Sequence, residues 1–242
     1  MKFKPYQNGS QRSNIRENRM NRTTSVYQAA ICILFMLQGS GIKEAQAAET
    51  IVAFGDSITS GYPYLRNGNG CTNCGGYELF LQYYLDWEGQ GRYVYNYGVS
   101  GEYLFSEGIN RIDSVMAETG ADYVLVMEGT NDLSLLYIDP GTVAYNVYRV
   151  AYKVLQWGGK PIVGTLLPDT RYGWNWKNVS TANSYIKNYV NSTPLMCLSD
   201  QYQAIAPYWE SGYNYEKLHP NYWGYWIMGR TWYIDMYNCG DF

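Results

Sequence analysis

Short apolar runs alternate with longer amphipathic stretches over most of the chain, from Ile51 to Tyr237. Ile51–Phe54, Tyr93–Tyr97, Asp122–Met127, Pro161–Leu166 and Leu195–Leu198 read as strands. They are almost continuously apolar, as strands buried on both faces of a parallel sheet are. Between them, Tyr77–Leu85 and Ile109–Glu118 read as helices, the second stopped by Gly120. Val143, Val147, Val150, Ala151, Val154 and Leu155 recur at helical spacing and give the clearest amphipathic helix, which ends at Gly158-Gly159. Pro168–Lys177 reads as a loop, followed by a helix through about Val190. A long tyrosine-rich connection then leads to His219, and Tyr222–Tyr237 forms a closing aromatic helix. Alternating strands and helices predict one α/β domain over residues 48–242: a three-layer α/β/α sandwich around a roughly five-stranded parallel sheet.

In such a sheet the chemistry sits where strands end. The first strand runs into Gly55-Asp56-Ser57-Ile58-Thr59-Ser60-Gly61, where the glycines permit tight turns around Ser57. Taken alone, this segment also reads as ordinary turn chemistry. The second strand delivers Asn96-Tyr97-Gly98-Val99-Ser100-Gly101, and the third delivers Gly129-Thr130-Asn131-Asp132. Glu216-Lys217-Leu218-His219-Pro220-Asn221 lies near the C-terminus. In this order, the four blocks resemble the SGNH (GDSL-type) hydrolase family, through Ser57, Gly98, Asn131 and His219, over most of residues 51–220. One position departs from the pattern: Glu216 stands where the family usually has Asp, three residues before the His.

The resemblance implies a flavodoxin-like fold and a serine esterase that forms an acyl-enzyme on Ser57, with no metal and no cofactor. It also implies that the Ser57 and Gly98 N–H groups and the Asn131 amide receive the oxyanion. The residues themselves agree with parts of this. A serine hydroxyl needs a base and that base needs an orienting group, and the chain has one histidine, His219. Glu216, spaced i, i+3, is within reach of its far ring nitrogen. In the competing arrangement His219 leans on a backbone carbonyl and Glu216 is a solvated acid. A Cβ at Gly98 would obstruct close approach of an oxyanion. Asp56 and Asp132 are expected to brace loops by hydrogen bonds.

Charge adds a compartment. Residues 1–47 hold seven of the 18 Lys/Arg and two of the 21 acidic residues, so the rest of the chain is acidic. That composition excludes nucleic acid as the expected partner, since phosphate contacts need basic patches. The same leader carries the apolar run Ala29–Leu37 and the small-x-small site Ala45-Gln46-Ala47, a signal peptide with cleavage near Ala47. The apolar run is too short to span a bilayer, although an uncleaved anchor is the competing reading; translation from Met20 would leave a signal of ordinary length. Export, to the periplasm or outside the cell, is the expectation. Without Cys32, four cysteines remain, and in an oxidising compartment three connectivities are open. Cys71–Cys74 within one loop and Cys197–Cys239 at the C-terminus are favoured. A zinc site at Cys71 and Cys74 is disfavoured by the lone histidine.

Aromatic residues make up 17% of the chain. Tyr172, Trp174 and Trp176 are candidates for stacking on a sugar near the site; most of the other tyrosines are expected in the core and helix seams. The expected substrate is a small-molecule or carbohydrate ester, with an acetylated saccharide favoured and a lysophospholipid or short-chain lipid ester as the alternative. A carbohydrate-binding module that has kept the fold and lost turnover is the reading from a different class. Oligomeric state is not legible in the sequence.

Overall fold

The computed structural model describes residues 48–64, 75–89, 91–172 and 175–240, the side chains of Asn175 and Trp176 excepted. The leader, Cys71, Cys74, Trp174 and the Trp176 ring therefore lie outside the described residues. Five strands, β1 (Thr50–Gly55), β2 (Tyr93–Gly98), β3 (Tyr123–Met127), β4 (Lys160–Gly164) and β5 (Cys197–Ser199), form one parallel sheet in the order β2-β1-β3-β4-β5.

Each strand serves two cores because its side chains alternate in direction. Val52, Phe54, Val124 and Val126 face α3 (Ile109–Thr119), α5 (Pro140–Gln156) and α6 (Asn175–Asn191). Ile51, Ala53, Leu125 and Met127 face α2 (Tyr77–Glu88) and α8 (Tyr222–Asn238). Two of the longer helices begin where the sequence supplies a side-chain cap. Asp139 accepts a hydrogen bond from the Thr142 N–H at 3.0 Å with Pro140 in the first turn of α5. Asn221 accepts from the Gly224 N–H at 3.0 Å at the start of α8.

The short helices α1 (Ser57–Ser60) and α4 (Thr130–Ser134) sit at the carboxyl ends of β1 and β3. Strand order reverses between those two strands, the place where open α/β sheets leave a crevice. The connection from β5 to His219 carries elements that its tyrosine-rich sequence did not reveal. It contains α7 (Gln201–Tyr208), a π-helical turn (Trp209–Tyr213) and a hairpin of β6 (Asn214–Tyr215) and β7 (His219–Pro220). Asp200 caps α7 through the Gln203 N–H at 3.2 Å. Only Gln201 and Ile205 of that helix are buried, so it leaves almost no apolar period in the sequence.

Cys197 in β5 is joined to Cys239 just past α8, with Cα atoms 6.1 Å apart. The bond closes a loop across 42 positions, for which chain entropy gives about 4 kcal/mol as an upper figure. A Cys197→Ser, Cys239→Ser variant is expected to lose about 2–4 kcal/mol in urea unfolding. Coincident transitions for the variant and the wild type would remove this bond from the stability of the fold.

Candidate active site

Ser57 is presented by a turn that rests directly on the sheet. Asp56 caps α1, its carboxylate accepting from the Ile58 N–H at 2.9 Å. Burial raises the pKa of that Asp56 carboxyl to about 7. Beneath the turn, a Cβ on Gly55 would lie 2.0 Å from the Met127 carbonyl oxygen, and one on Gly98 would lie 2.1 Å from the Ser60 nitrogen. Both neighbours are backbone and cannot yield. Asn96 ties the turn down: its amide donates to the Thr59 carbonyl at 2.7 Å, and its side-chain oxygen accepts the Gly98 N–H at 2.8 Å.

That second bond corrects the expectation for Gly98. Its N–H is already donated to Asn96, so it is not free to receive an oxyanion, and the glycine is required by packing against Ser60. Three residues on, Gly101 is exposed and holds a positive φ of 82°. The Asn131 amide donates to the carbonyl of Glu102 at 2.9 Å, which brings Asn131 to the Gly101–Glu102 segment. Nothing in the order of letters separates two glycines three apart; a hydrogen-bond map does.

His219 and Glu216 come from the β6–β7 hairpin, whose Tyr215–His219 pairing folds the acid back beside the imidazole. Glu216 and Lys217 both take left-handed backbone, with φ of 50° and 63°, a conformation that costs a non-glycine residue about 1 kcal/mol or more. The Lys217 N–H donates to the Asn214 side chain at 2.9 Å and its carbonyl accepts from Thr170 at 3.0 Å, which holds the turn in place. In this geometry the Ser57 Oγ lies 2.8 Å from His219 Nε2, and His219 Nδ1 lies 2.7 Å from a Glu216 oxygen. The longer Glu side chain is thus accommodated by the turn, and the backbone-carbonyl alternative is not the one adopted. The Tyr62 ring covers the imidazole with centroids 4.7 Å apart.

Burial holds the His219 pKa below its ordinary 6.5, against the opposing pull of the Glu216 carboxylate. A neutral imidazole with Nδ1–H donated to Glu216 leaves Nε2 as an acceptor facing the Ser57 hydroxyl. That arrangement can take a proton from Ser57 as it attacks. On the other side of the crevice Asp132 accepts from the Leu104 and Phe105 N–H groups at 2.8 and 2.9 Å, bracing that loop as expected. Tyr172 is 57% exposed, on a segment tied to the His219 hairpin through Thr170. Of the other two stacking candidates, Trp174 and the Trp176 ring lie outside the described residues.

A family model described as "GDSL-like Lipase/Acylhydrolase family" matches residues 53–227. Among solved structures, the chain is similar to Axe2, an acetylxylan esterase from Geobacillus stearothermophilus, with TM-score 0.66 and 18% identity over 80% of this chain and 95% of that one. It is also similar to a member of the lipolytic protein G-D-S-L family from Veillonella parvula, with TM-score 0.61 and 24% identity over 76% of this chain and 96% of the other. LAE5, an alpha/beta hydrolase enzyme from the metagenome of Lake Arreo, Spain, aligns with TM-score 0.66 and 18% identity over 81% and 99% of the two chains. No curated protein sequence matches the chain. The three strand-end blocks, the His219 hairpin and the match spanning them lead to one conclusion: the chain belongs to the GDSL-like lipase/acylhydrolase family and is an ester-hydrolysing enzyme.

Proposed function

We propose that this protein is an exported serine esterase that removes acyl groups, acetyl foremost, from carbohydrate through an acyl-enzyme on Ser57. The observation that carries the reading is the line of hydrogen bonds from Ser57 Oγ to His219 Nε2 at 2.8 Å and from His219 Nδ1 to Glu216 at 2.7 Å. Ser57 Oγ attacks the ester carbonyl carbon while His219 takes its proton. The alcohol leaves with that proton, and His219 then activates the water that frees Ser57. Developing negative charge on the carbonyl oxygen is received by the N–H groups of Ser57 and Gly101 and by the Asn131 amide. These roles rest on geometry: the Ser57 hydroxyl is partly exposed at the crevice, Gly101 is exposed, and Asn131 is anchored beside it.

The substrate class is supported by aromatic rings that flank the Glu216–Asn221 block along the chain. A groove of about 430 Å³ is lined by Tyr208, Tyr213, Trp223, Trp226 and Arg230, among others. Trp223 lies four residues past His219, and Trp223 and Tyr208 are 56% and 47% exposed. Exposed rings with polar edges suit the faces of sugars, and a similar structure is that of an acetylxylan esterase. One observation favours the lipid-ester alternative: Leu135 and Leu136, just past Asn131, are 47% and 40% exposed. Acyl-chain preference separates the two. Export is supported by the leader pattern of residues 1–47 and by the Cys197–Cys239 pair.

On p-nitrophenyl acetate and longer acyl esters, wild type is expected to prefer acetyl, and Ser57→Ala is expected to lose roughly 10⁴-fold or more in kcat. A preference for long chains would move the reading to lipid esters. Asn131→Ala is expected to lower kcat by about 10²–10³, the usual loss for one oxyanion donor; unchanged turnover would remove Asn131 from the site. Because His219 must be neutral to act as base, kcat/KM is expected to rise with pH through a midpoint below 6.5. Glu216→Gln removes the charge that raises the His219 pKa, so this midpoint is expected to move down as kcat falls on the order of 10²-fold. A midpoint that stays put would leave Glu216 outside the triad. Trp223→Ala is expected to raise KM several-fold, by about the 1 kcal/mol of a ring contact, on an O-acetylated oligosaccharide and to leave p-nitrophenyl acetate unaffected.

A further inference from the structure

Behind the proposed oxyanion donors lies a carboxyl group that the reaction does not use. Glu128 follows the last residue of β3 and precedes Asn131 by three positions, yet it is 1% exposed. Neither of its carboxyl oxygens meets a hydrogen-bond donor. The carboxyl is packed on Gly108, where a Cβ would lie 2.4 and 2.5 Å from its two oxygens. Only a glycine leaves room for it.

What Glu128 faces is another acid. Its strongest charged neighbour is Glu102, with Asp56 next and Arg111 opposing them. Glu102 is itself 5% exposed and already compensated. Arg111, from α3, forks onto it, Nε donating at 2.6 Å and Nη2 donating to the second oxygen. The same guanidinium donates to the Tyr97 carbonyl at 2.9 Å and lies 4.1 Å over the Phe54 ring. Asp56 and Asp132 spend their charge on backbone N–H groups of Ile58, Leu104 and Phe105. Of these four buried carboxyls the guanidinium of Arg111 bonds Glu102 alone, and none of its bonds reaches Glu128. Among the described residues, no group of three or more His, Cys, Asp or Glu is placed to hold a metal ion. An unpaired buried carboxylate would cost several kcal/mol, and an acid so placed keeps its proton instead.

We propose that Glu128 is a neutral carboxylic acid that donates its proton to the Glu102 carboxylate, and that this acid pair, held by Arg111, positions the Gly101–Glu102 segment against Asn131. The Glu102 side chain then sees a donor on each side, Arg111 and Glu128, while its carbonyl receives the Asn131 amide at 2.9 Å. Both oxyanion donors outside the Ser57 turn are thereby fixed from behind, Gly101 through the chain and Asn131 through its own side chain. Glu128 touches no substrate; it is a positioning residue. The inference rests on the serine-esterase reading for its catalytic consequence, and not for the proton itself.

The test compares the full chain with Glu128→Gln, which keeps a donor and cannot ionise, and Glu128→Met, which fills the space without a donor. At about pH 6, above the range in which ordinary carboxyls titrate, the infrared spectrum of wild type is expected to hold a protonated-carboxyl carbonyl band that Glu128→Gln lacks, whatever Asp56 and Asp132 contribute to both. The pKa of Glu128 is raised well above 4.5 in the fold. Stability from its proton is therefore complete below that value and is lost as pH rises through the folded pKa, so the Gln variant is expected to show a shallower decline of stability with pH. For p-nitrophenyl acetate, Glu128→Gln is expected to keep kcat within about threefold of wild type, and Glu128→Met to lose about 10²-fold in kcat with little change in KM, the mark of misplaced oxyanion donors. The proposal is overturned if the infrared difference is absent, if the stability profiles coincide, or if the Gln and Met variants lose activity equally. Should Met fail to fold, the spectrum and the Gln variant decide. Should wild type hydrolyse no ester, the esterase reading fails while the spectrum still decides where the proton lies.

Discussion

Two neighbouring strands end in glycine because the turn that carries Ser57 leaves no space for a side chain beneath it. A Cβ on Gly98 would lie 2.1 Å from the Ser60 nitrogen, and one on Gly55 would lie 2.3 Å from Thr59 Oγ1 of the turn and 2.0 Å from the Met127 carbonyl oxygen. The nearest atom in each case is main chain, so no rotamer change relieves it. From this close seat the rest follows. Asn96 can reach the Thr59 carbonyl, the Ser57 hydroxyl points into the crevice at the sheet's switch point, and the His219 hairpin can meet it from the far end of the chain. The sheet supplies the platform, and the separation of 162 residues between Ser57 and His219 is bridged by packing.

The site divides into two halves with different physics. On the Ser57 side of the crevice, a strained left-handed turn holds Glu216 and His219 in line, and burial keeps the imidazole neutral and ready to accept a proton. On the other side, buried carboxyls outnumber the guanidinium that serves them. Asp132 satisfies itself on two backbone N–H groups, Glu102 takes the fork of Arg111, and Glu128 is left against Glu102 on a glycine. Donors that await an oxyanion must not move when charge appears, which is a reason to fix them through buried, low-dielectric bonds.

Much of this was legible in the sequence, for reasons that can be named. The central strands β1, β3 and β4 are buried on both faces and almost wholly apolar, the edge strands β2 and β5 show as shorter runs of tyrosine, valine and leucine, and the valine period of α5 could be read directly. The i, i+3 spacing of Glu216 and His219 suggested their contact, and the lone histidine left no rival base. Helix α7 was not legible, because Gln201 and Ile205 are its only buried residues and Pro207 lies inside it. Gly98 was misassigned because a glycine required by close packing and a glycine with positive φ look alike as letters; Gly101 is the second kind. Glu128 escaped notice because an acid at a strand end reads as a solvated residue, and only the fold reveals that it is enclosed. The left-handed pair at Glu216 and Lys217 carries no signal in residue type either.

The account stands on one chemical claim, that Ser57 is a nucleophile activated by His219. Intact-mass and peptide mapping after treatment with a fluorophosphonate tests it most directly, because the reagent reports an activated serine whatever the natural ester is. The expected result is one adduct, on the peptide that contains Ser57, formed fast at neutral pH and slowly below the His219 titration, and absent in His219→Ala. An adduct on another residue, or no adduct on a folded chain, would contradict the claim.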